Sequence, residues 1–384
     1  MNKENRILLS LAHMGGTEMN YVKQAFETNW VVPLGPNVDE FERRLATFLG
    51  GGKTVVALSA GTAAIHLGLV MAGVKAGDEV VCQSLTFSAS ANPVVYLGAK
   101  PIFVDSEPET WNMDPDILAE TLDDRKRLTG RYPSAVVPVH LYGMPAKMNE
   151  ILKVCSERGI PVVEDAAEAL GSRYDGRCCG TLGNYGALSF NGNKIITTSG
   201  GGALVCPDAE AAARVKFLAT QAREPKPYYY HLTIGYNYRL SNVSAGIGCG
   251  QMEVLDEHLE RRRYNHNFYV YNLKDIDGLS VLCNPSDKYD SNFWLTTILL
   301  DKNKINLEPD FVRTELEKRN IESRLIWRPM HMQPVFADAP YYGGEVSRDI
   351  FESGLCLPSS SSLTDYDLQR VVDGLHDIIR NNKN

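Results

Sequence analysis

The sequence predicts an α/β fold, a large domain built on a mostly parallel sheet followed by a smaller α+β domain. Three observations carry this reading. Short apolar runs of strand character recur through the first half. Helical stretches separate them, which puts crossover helices on both faces of a parallel sheet. From about residue 242 the pattern changes to long helices around one strong strand candidate.

In chain order, Thr54 to Ser59 (TVVALS) reads as a buried strand that runs through Ala60-Gly61 into an apolar helix, Thr62 to Ala72, stopped by Gly73. Glu79 to Ser84, Pro101 to Asp105 and Ala135 to Leu141 follow as strands. Met148, Ile151, Leu152 and Cys155 keep a helical period that ends near Gly159, and Ile160 to Asp165 (IPVVED) is a further strand. Tyr185 to Phe190 is an apolar run with a strand pattern, and an alanine-rich helix runs from after Pro207 to about Gln221. Arg223 to Tyr230 is a proline- and tyrosine-rich loop. One long helical pattern then spans Asn242 to Lys274, with a strand at Phe293 to Leu300 and helices near Asp310 to Arg319 and Thr364 to Ile379. The division expected is residues 1–250 for the large domain with its N-terminal arm and 251–384 for the small one.

The chain has 384 residues, 44% hydrophobic and 22% charged, with a net charge of −8. That composition suits a globular protein with a large core and gives no nucleic-acid footprint. The Arg261-Arg262-Arg263 triplet reads as a solvated helix face. The N-terminus opens no signal-peptide hydrophobic region, and no apolar run is long enough to cross a bilayer. Eight scattered cysteines without disulfide or zinc spacing indicate reduced thiols, hence a cytoplasmic location.

Several tempting motifs fail. Gly50-Gly51-Gly52-Lys53-Thr54 resembles a P-loop ending, but Thr47 stands where that motif needs its first glycine. There is no dinucleotide fingerprint, no H-E-x-x-H, no histidine cluster for a metal, and no G-x-S-x-G elbow. Four signals remain, in a consistent order. Ser59-Ala60-Gly61-Thr62 lies at a strand-to-helix turn, where free N–H groups and a hydroxyl suit a phosphate, although an ordinary helix cap has the same sequence. Thr86-Phe87-Ser88 puts an aromatic after a strand, either as a cover for a flat ring or as core. Glu164-Asp165 ends an apolar strand, where an acid needs a positive partner such as a pyridinium, an ion pair or a helix cap. Lys194 follows a strand with Ser189 five residues before it, no acid adjacent in sequence and a glycine-rich turn after it; a partly desolvated lysine amine can form a Schiff base. Together these are the groups pyridoxal phosphate needs from a protein.

The chain resembles the DegT/DnrJ/EryC1/StrS sugar aminotransferases, pyridoxal-phosphate enzymes of the aspartate-aminotransferase-like fold (fold type I). The resemblance runs from about Gly35 to Leu357-Pro358-Ser359. It rests on Ser59-Ala60-Gly61-Thr62-Ala63-Ala64, Thr86-Phe87, Glu164-Asp165-Ala166-Ala167-Glu168, Ser189 to Lys194, and Gly235-Tyr236-Asn237-Tyr238-Arg239-Leu240-Ser241. It implies that Lys194 forms the Schiff base and shuttles protons, Asp165 pairs with the pyridine nitrogen, and Phe87 stacks on the ring. It implies too that Gly61, Thr62 and Ser189 hold the phosphate, with Asn237 reaching it from the partner subunit of a homodimer with shared active sites. Glu168 stands where many members have Gln or His, and is expected to share a proton with the cofactor's phenolic oxygen.

Asn29 to Pro36, Arg328 to Pro334 and Leu357 to Thr364 resemble members that aminate carbon 4 of UDP-linked 4-keto-6-deoxy-N-acetylhexosamines, with L-glutamate as donor. Other positions and dTDP- or GDP-linked sugars are alternatives. Trp327, His331 and Arg239 are candidates for substrate contact, Arg239 reading equally as a structural ion pair. Family members that dehydrate the sugar carry histidine at the Schiff-base position, so Lys194 opposes that reaction. A non-catalytic sensor that kept the fold is the alternative of another class.

Overall fold

The structure, a computed structural model, describes residues 5–382. Two four-stranded sheets lie edge to edge. One runs in the order Thr54–Leu58, Gly202–Cys206, Tyr185–Ser189, Val163–Asp165; the other runs Tyr341–Tyr342, Lys100–Val104, Glu79–Gln83, Ala135–Val137. Parallel bridges from Val136 to Val162 and from Val139 to Asp165 join them into one surface. Within it only Gly202–Cys206 is antiparallel to its neighbours. The reason is local: the chain leaving Ser189 turns over within residues 190–201 and comes straight back beside the strand it left, with no crossover helix between. The sequence shows that stretch only as a glycine-rich turn; in the structure the five-residue strand Gly202–Cys206 follows the turn.

The strands are almost wholly buried, as expected where helices cover both faces. The Gly61–Met71 helix lies against the strands at Tyr185–Ser189 and Gly202–Cys206, and eight of its eleven residues are buried. The strand expected over Ala135 to Leu141 closes at Val137, because Pro138 has no N–H for the ladder. Leu141–Gly143 instead forms a short 3-10 turn with Tyr142 at φ 54°.

The pattern read as one helix from Asn242 to Lys274 is two helices, Asn242–Glu253 and Leu255–Leu273, broken at Val254 (φ −116°, ψ 9°). The first packs on the helices Glu18–Glu27 and Pro36–Leu49; the second carries the chain to an antiparallel sheet of Leu279–Val281, Thr296–Leu300, Gly354–Leu357 and Arg324–Leu325. The helices Pro309–Glu317 and Asp365–Asn381 complete that layer, the latter opened by a Thr364/Asp367 capping box. Ile7 from the N-terminal segment joins its apolar core.

The Arg261-Arg262-Arg263 triplet is not a solvated face. Arg261 donates to the Leu363 carbonyl and pairs with Asp365, Arg263 donates to the Ser291 and Gly171 carbonyls, and Arg262 is fully buried. The helix runs past irregular segments whose backbone carbonyls lack ladder partners, and the guanidinium groups satisfy them. Among the described residues no helix is long and apolar enough to cross a membrane.

Candidate active site

A cavity of about 350 Å³ opens where the C-terminal ends of the central strands meet the first turn of the Gly61–Met71 helix. This is where open α/β sheets place ligands. Gly61, Thr62, Phe87, Asp165, Glu168, Ser189 and Lys194 all line it. The structure thus gathers seven of the eight residues singled out for the cofactor.

The helix start is built to stay open. Ala60 is extended (φ −165°, ψ 158°) and no side chain caps the helix. A Cβ on Gly61 would lie 3.0 Å from Ser189 Cβ, and one on Gly202 would fall 2.4 Å from the Ala60 carbonyl carbon and the Gly61 nitrogen. Glycine at both places lets the returning strand close on the turn and brings the Ser189 hydroxyl beside uncapped N–H groups. Such a set, at the positive end of a helix dipole, suits a phosphate dianion.

Strand alternation separates the two neighbouring acids. Glu164 points into the protein and accepts from His140 Nε2 (2.9 Å) and from the N–H groups of Gly180, Leu182 and Gly183 (2.8, 2.6 and 2.5 Å). It is a structural brace for the loop around 180–183. Asp165 faces the cavity: Oδ2 accepts from Ser90 Oγ at 2.6 Å and Oδ1 from the Ala167 N–H at 3.1 Å. Ser90 is itself 2.7 Å from Thr86 Oγ1, so the segment that presents Phe87 also orients the acid. The Phe87 ring is 55% exposed and lies 5.4 Å from that of Trp327, which leaves one face free for a flat ligand.

Lys194 has no acid adjacent in sequence but has one in space: Nζ lies 3.4 Å from Glu168 Oε1 and 4.1 Å from the centre of the Trp294 ring. Glu168 Oε2 accepts from the Tyr142 N–H at 2.7 Å. Burial pushes the Glu168 carboxyl up to about 7, with Asp165 reinforcing the rise and the Lys194 charge and the Tyr142 N–H opposing it. Sequence reasoning missed Tyr142, Ser90 and Trp294. Tyr142 and Ser90 act through partners distant in sequence; Trp294 lies in the expected Phe293 to Leu300 strand, which in the structure begins only at Thr296, so its indole belongs to the irregular segment before the ladder.

The remaining candidates fall elsewhere. Trp327 lines the cavity, its N–H donating to the Tyr142 hydroxyl at 3.0 Å. His331 stands behind it, with Nδ1 2.7 Å from Ser84 Oγ and its ring stacked on Tyr341 at 3.8 Å. Arg239 is apart from the cavity: Nη1 donates to Glu42 Oε1 (2.6 Å) and the Ala57 carbonyl (3.0 Å), the structural ion pair that was the other reading of this residue. Asn237 is exposed and bridges to Thr220, away from its own chain's cavity. A second cavity of about 220 Å³ shares Phe87, Asn193, Trp294 and Trp327 with the first and is walled by Leu8 to Leu11 and Arg324. A larger surface groove of about 770 Å³ around Glu107, Lys147 and Tyr289 holds none of these groups.

An uncapped helix start beside a serine, a buried acid, an exposed aromatic face and a largely buried amine form one set of groups that fits pyridoxal phosphate at every polar end. Fold and site together define a pyridoxal-phosphate-dependent aminotransferase. The chain belongs to the DegT/DnrJ/EryC1/StrS aminotransferase family, whose profile matches residues 12–376. It is 49% identical over 374 residues to EpsN of Bacillus subtilis (strain 168), which carries the provisional name of a pyridoxal phosphate-dependent aminotransferase, covering 96% of this chain and 95% of that one. It is 36% identical over 374 residues to the GDP-perosamine synthase of Caulobacter vibrioides, covering 97% and 98%. Among solved structures it is similar to DesI in the presence of its TDP-sugar product, with a TM-score of 0.89, 28% identity and coverage of 99% and 94%. The protein is a sugar aminotransferase.

Proposed function

We propose that this enzyme transfers the amino group of L-glutamate to the 4-keto carbon of a UDP-linked 4-keto-6-deoxy-N-acetylhexosamine. The observation that carries the aminotransferase chemistry is the convergence of Lys194 Nζ, the Asp165 carboxylate and the open start of the Gly61–Met71 helix on one cavity. Bound pyridoxal phosphate supplies the electron sink and carries the amino group between the two substrates. Gly61, Thr62 and Ser189 would hold its phosphate, Phe87 would cover its ring and Asp165 would keep its pyridine nitrogen protonated. Lys194 would hold the aldehyde end, and its amine would serve as the base that moves a proton at the reacting carbon. Glu168, whose carboxyl burial raises to about 7, would share a proton with the phenolic oxygen.

The sugar reading rests on Asn29 to Pro36, Arg328 to Pro334 and Leu357 to Thr364. Of these, Arg328 to Pro334 follows directly on Trp327 at the cavity wall. The names of the GDP- and TDP-linked relatives favour a second reading, in which the same reaction runs on one of those nucleotides. We also propose a homodimer in which Asn237 completes the partner's phosphate site. Asn237 is exposed, and Tyr229, Leu232 and Ile234 just before it are 77%, 69% and 83% exposed, an apolar run that a second subunit would cover. The eight unpaired cysteines, seven of them buried, suit a cytoplasmic enzyme.

The test is an amination assay with L-glutamate on UDP-, GDP- and dTDP-linked 4-keto-6-deoxy sugars, with product identification by NMR. A carbon-4 amine formed fastest on the UDP N-acetyl sugar supports the proposal; preference for the GDP or dTDP sugar overturns it in favour of the second reading. Initial-rate lines that intersect instead of running parallel would refute the two-half-reaction scheme.

A further inference from the structure

Among the described residues Arg262 is the largest fully buried side chain, and no carboxylate pairs with it. Its Nη1 donates to the carbonyls of Trp294 (2.6 Å) and Ser359 (3.1 Å), and its Nη2 to Ser10 Oγ (3.0 Å). Its Nε finds no partner among the described residues. Burial pushes the guanidinium down to about 9, which still leaves it charged at neutral pH. The fork satisfies two backbone carbonyls and a hydroxyl that an apolar residue would leave unpaired, and what sets Arg262 apart from its neighbours in the triplet is where those groups lead.

The groups it holds converge on one atom. Ser10 Oγ donates to the Asn193 carbonyl at 2.7 Å, and Trp294 Nε1 donates to the same oxygen at 2.7 Å. Asn193 immediately precedes Lys194, and the ring of that same Trp294 lies 4.1 Å from Lys194 Nζ. The far side is tied as well: Asn292 Nδ2 donates to the Glu168 carbonyl (2.8 Å) and its Oδ1 accepts the Trp294 N–H (2.8 Å). Lys194 is therefore framed by Trp294 and Glu168, and both are fastened to the 292–294 segment that Arg262 grips.

We infer that Arg262 is a positioning residue for catalysis: through the Trp294 carbonyl and Ser10 it fixes the indole against Lys194 and the peptide that carries Lys194. The N-terminal segment at Ser10 and the 292–294 segment meet at this guanidinium on the Leu255–Leu273 helix, so its bonds to Ser10 and to the Trp294 carbonyl set the amine's place beside the indole and Glu168. The inference rests on Lys194 being the residue that takes the cofactor.

Arg262→Lys keeps the charge but loses the fork, and Trp294→Phe keeps a ring but loses the bond to Asn193. Asn265→Ala is the structural control. Asn265 sits one turn along the same helix, is fully buried and donates to the Ser360 carbonyl at 2.9 Å, and among the described residues it bonds neither Ser10 nor the 292–294 segment. Two readouts are taken on the loaded enzyme: the pH midpoint of the absorbance of the lysine-bound cofactor, and kcat and KM of the L-glutamate half-reaction. Arg262→Lys and Trp294→Phe are expected to lower the midpoint, because the cation loses its seat on the indole face. They should also lower kcat by about tenfold or more with little change in KM, the signature of a misplaced group rather than a lost binding contact. Asn265→Ala should lower thermal stability and move neither readout. If Arg262→Lys and Asn265→Ala behave alike, the inference is wrong. Should Arg262→Lys fail to fold, Trp294→Phe and Ser10→Ala carry the test, and unchanged midpoints in both would overturn it. Borohydride trapping on the wild-type enzyme, mapped to Lys194, tests the underlying assignment separately.

Discussion

The Glu168 carboxyl makes a quantitative claim about stability. Its proton affinity in the folded chain corresponds to about 7 against an ordinary 4.5. The cause is burial first, with Asp165 adding to it against the attraction of Lys194. Because the folded value lies above the unfolded one, the folded chain keeps a proton between pH 4.5 and 7 that the unfolded chain has released. Stability from this group is therefore full below about 4.5, falls as pH rises through that window, and is flat above about 7. At about 1.4 kcal/mol for each tenfold change in proton affinity, the loss amounts to roughly 3 kcal/mol. Glu168→Gln is neutral throughout and removes the dependence. Urea unfolding of the cofactor-free protein at pH 4.5, 6 and 8, at one fixed protein concentration because association shifts apparent stability, should show the variant gaining on wild type by roughly 3 kcal/mol from the lowest to the highest pH. Parallel pH profiles for the two proteins would refute the reasoning, since every other titrating group is common to both.

Other substitutions separate the parts of the site. Lys194→Ala should give no borohydride-stable adduct and should slow the L-glutamate half-reaction by about 10²–10⁴-fold, read by stopped-flow absorbance. Gly202→Ala forces a Cβ to within 2.4 Å of the Ala60–Gly61 peptide. It should pry open the phosphate cradle, weaken pyridoxal phosphate binding in a titration by about tenfold, and destabilise the chain by about 1–3 kcal/mol. Arg239→Ala should leave kcat and KM unchanged and cost about 1–3 kcal/mol in denaturant unfolding. The cost stays moderate because Glu42 keeps Lys216 at 2.7 Å and the Ala57 N–H at 2.8 Å.

What could be read from the sequence, and what could not, follows from the range of each interaction. The strands at Thr54, Glu79, Lys100 and Tyr185, and the turn into the Gly61–Met71 helix, announce themselves through contiguous apolar runs and a glycine at a strand end. Asp165 and Ser189 are legible because each ends such a run, and Lys194 because it follows one by five residues and precedes a glycine-rich turn. Glu168 was placed by resemblance, but its contact with Lys194 and its grip on the Tyr142 N–H join residues 26 positions apart and leave no local trace. The arginine triplet misled for the opposite reason: three cations on a helix look solvated unless the carbonyls they serve, at residues 171, 291, 294, 359 and 363, are known to lie beside them. Two helices passed over, Pro36–Leu49 and Pro115–Thr129, did carry signals. Both open with proline at the first position, and Asp114 caps the second by accepting the N–H groups of Asp116 and Ile117.

The division of the cavity walls explains why cofactor chemistry is easier to read than substrate choice. Asp165, Ser189 and Gly61 stand at the ends of strands or at a helix start, where the ladder and the buried sheet hold the backbone to one geometry. The walls beyond the cofactor, at Trp294, Trp327 and the second cavity between Leu8 to Leu11 and Arg324, come from loops and from the C-terminal sheet. Such segments tolerate exchange without disturbing the sheet. A chain 36% identical to this one can therefore carry the name of a GDP-sugar enzyme, and a fold matching at a TM-score of 0.89 can hold a TDP-sugar product, around the same shared family fold. Substitutions that change the accepted nucleotide should accordingly fall on the loop-borne walls, and those that abolish transamination on the strand ends.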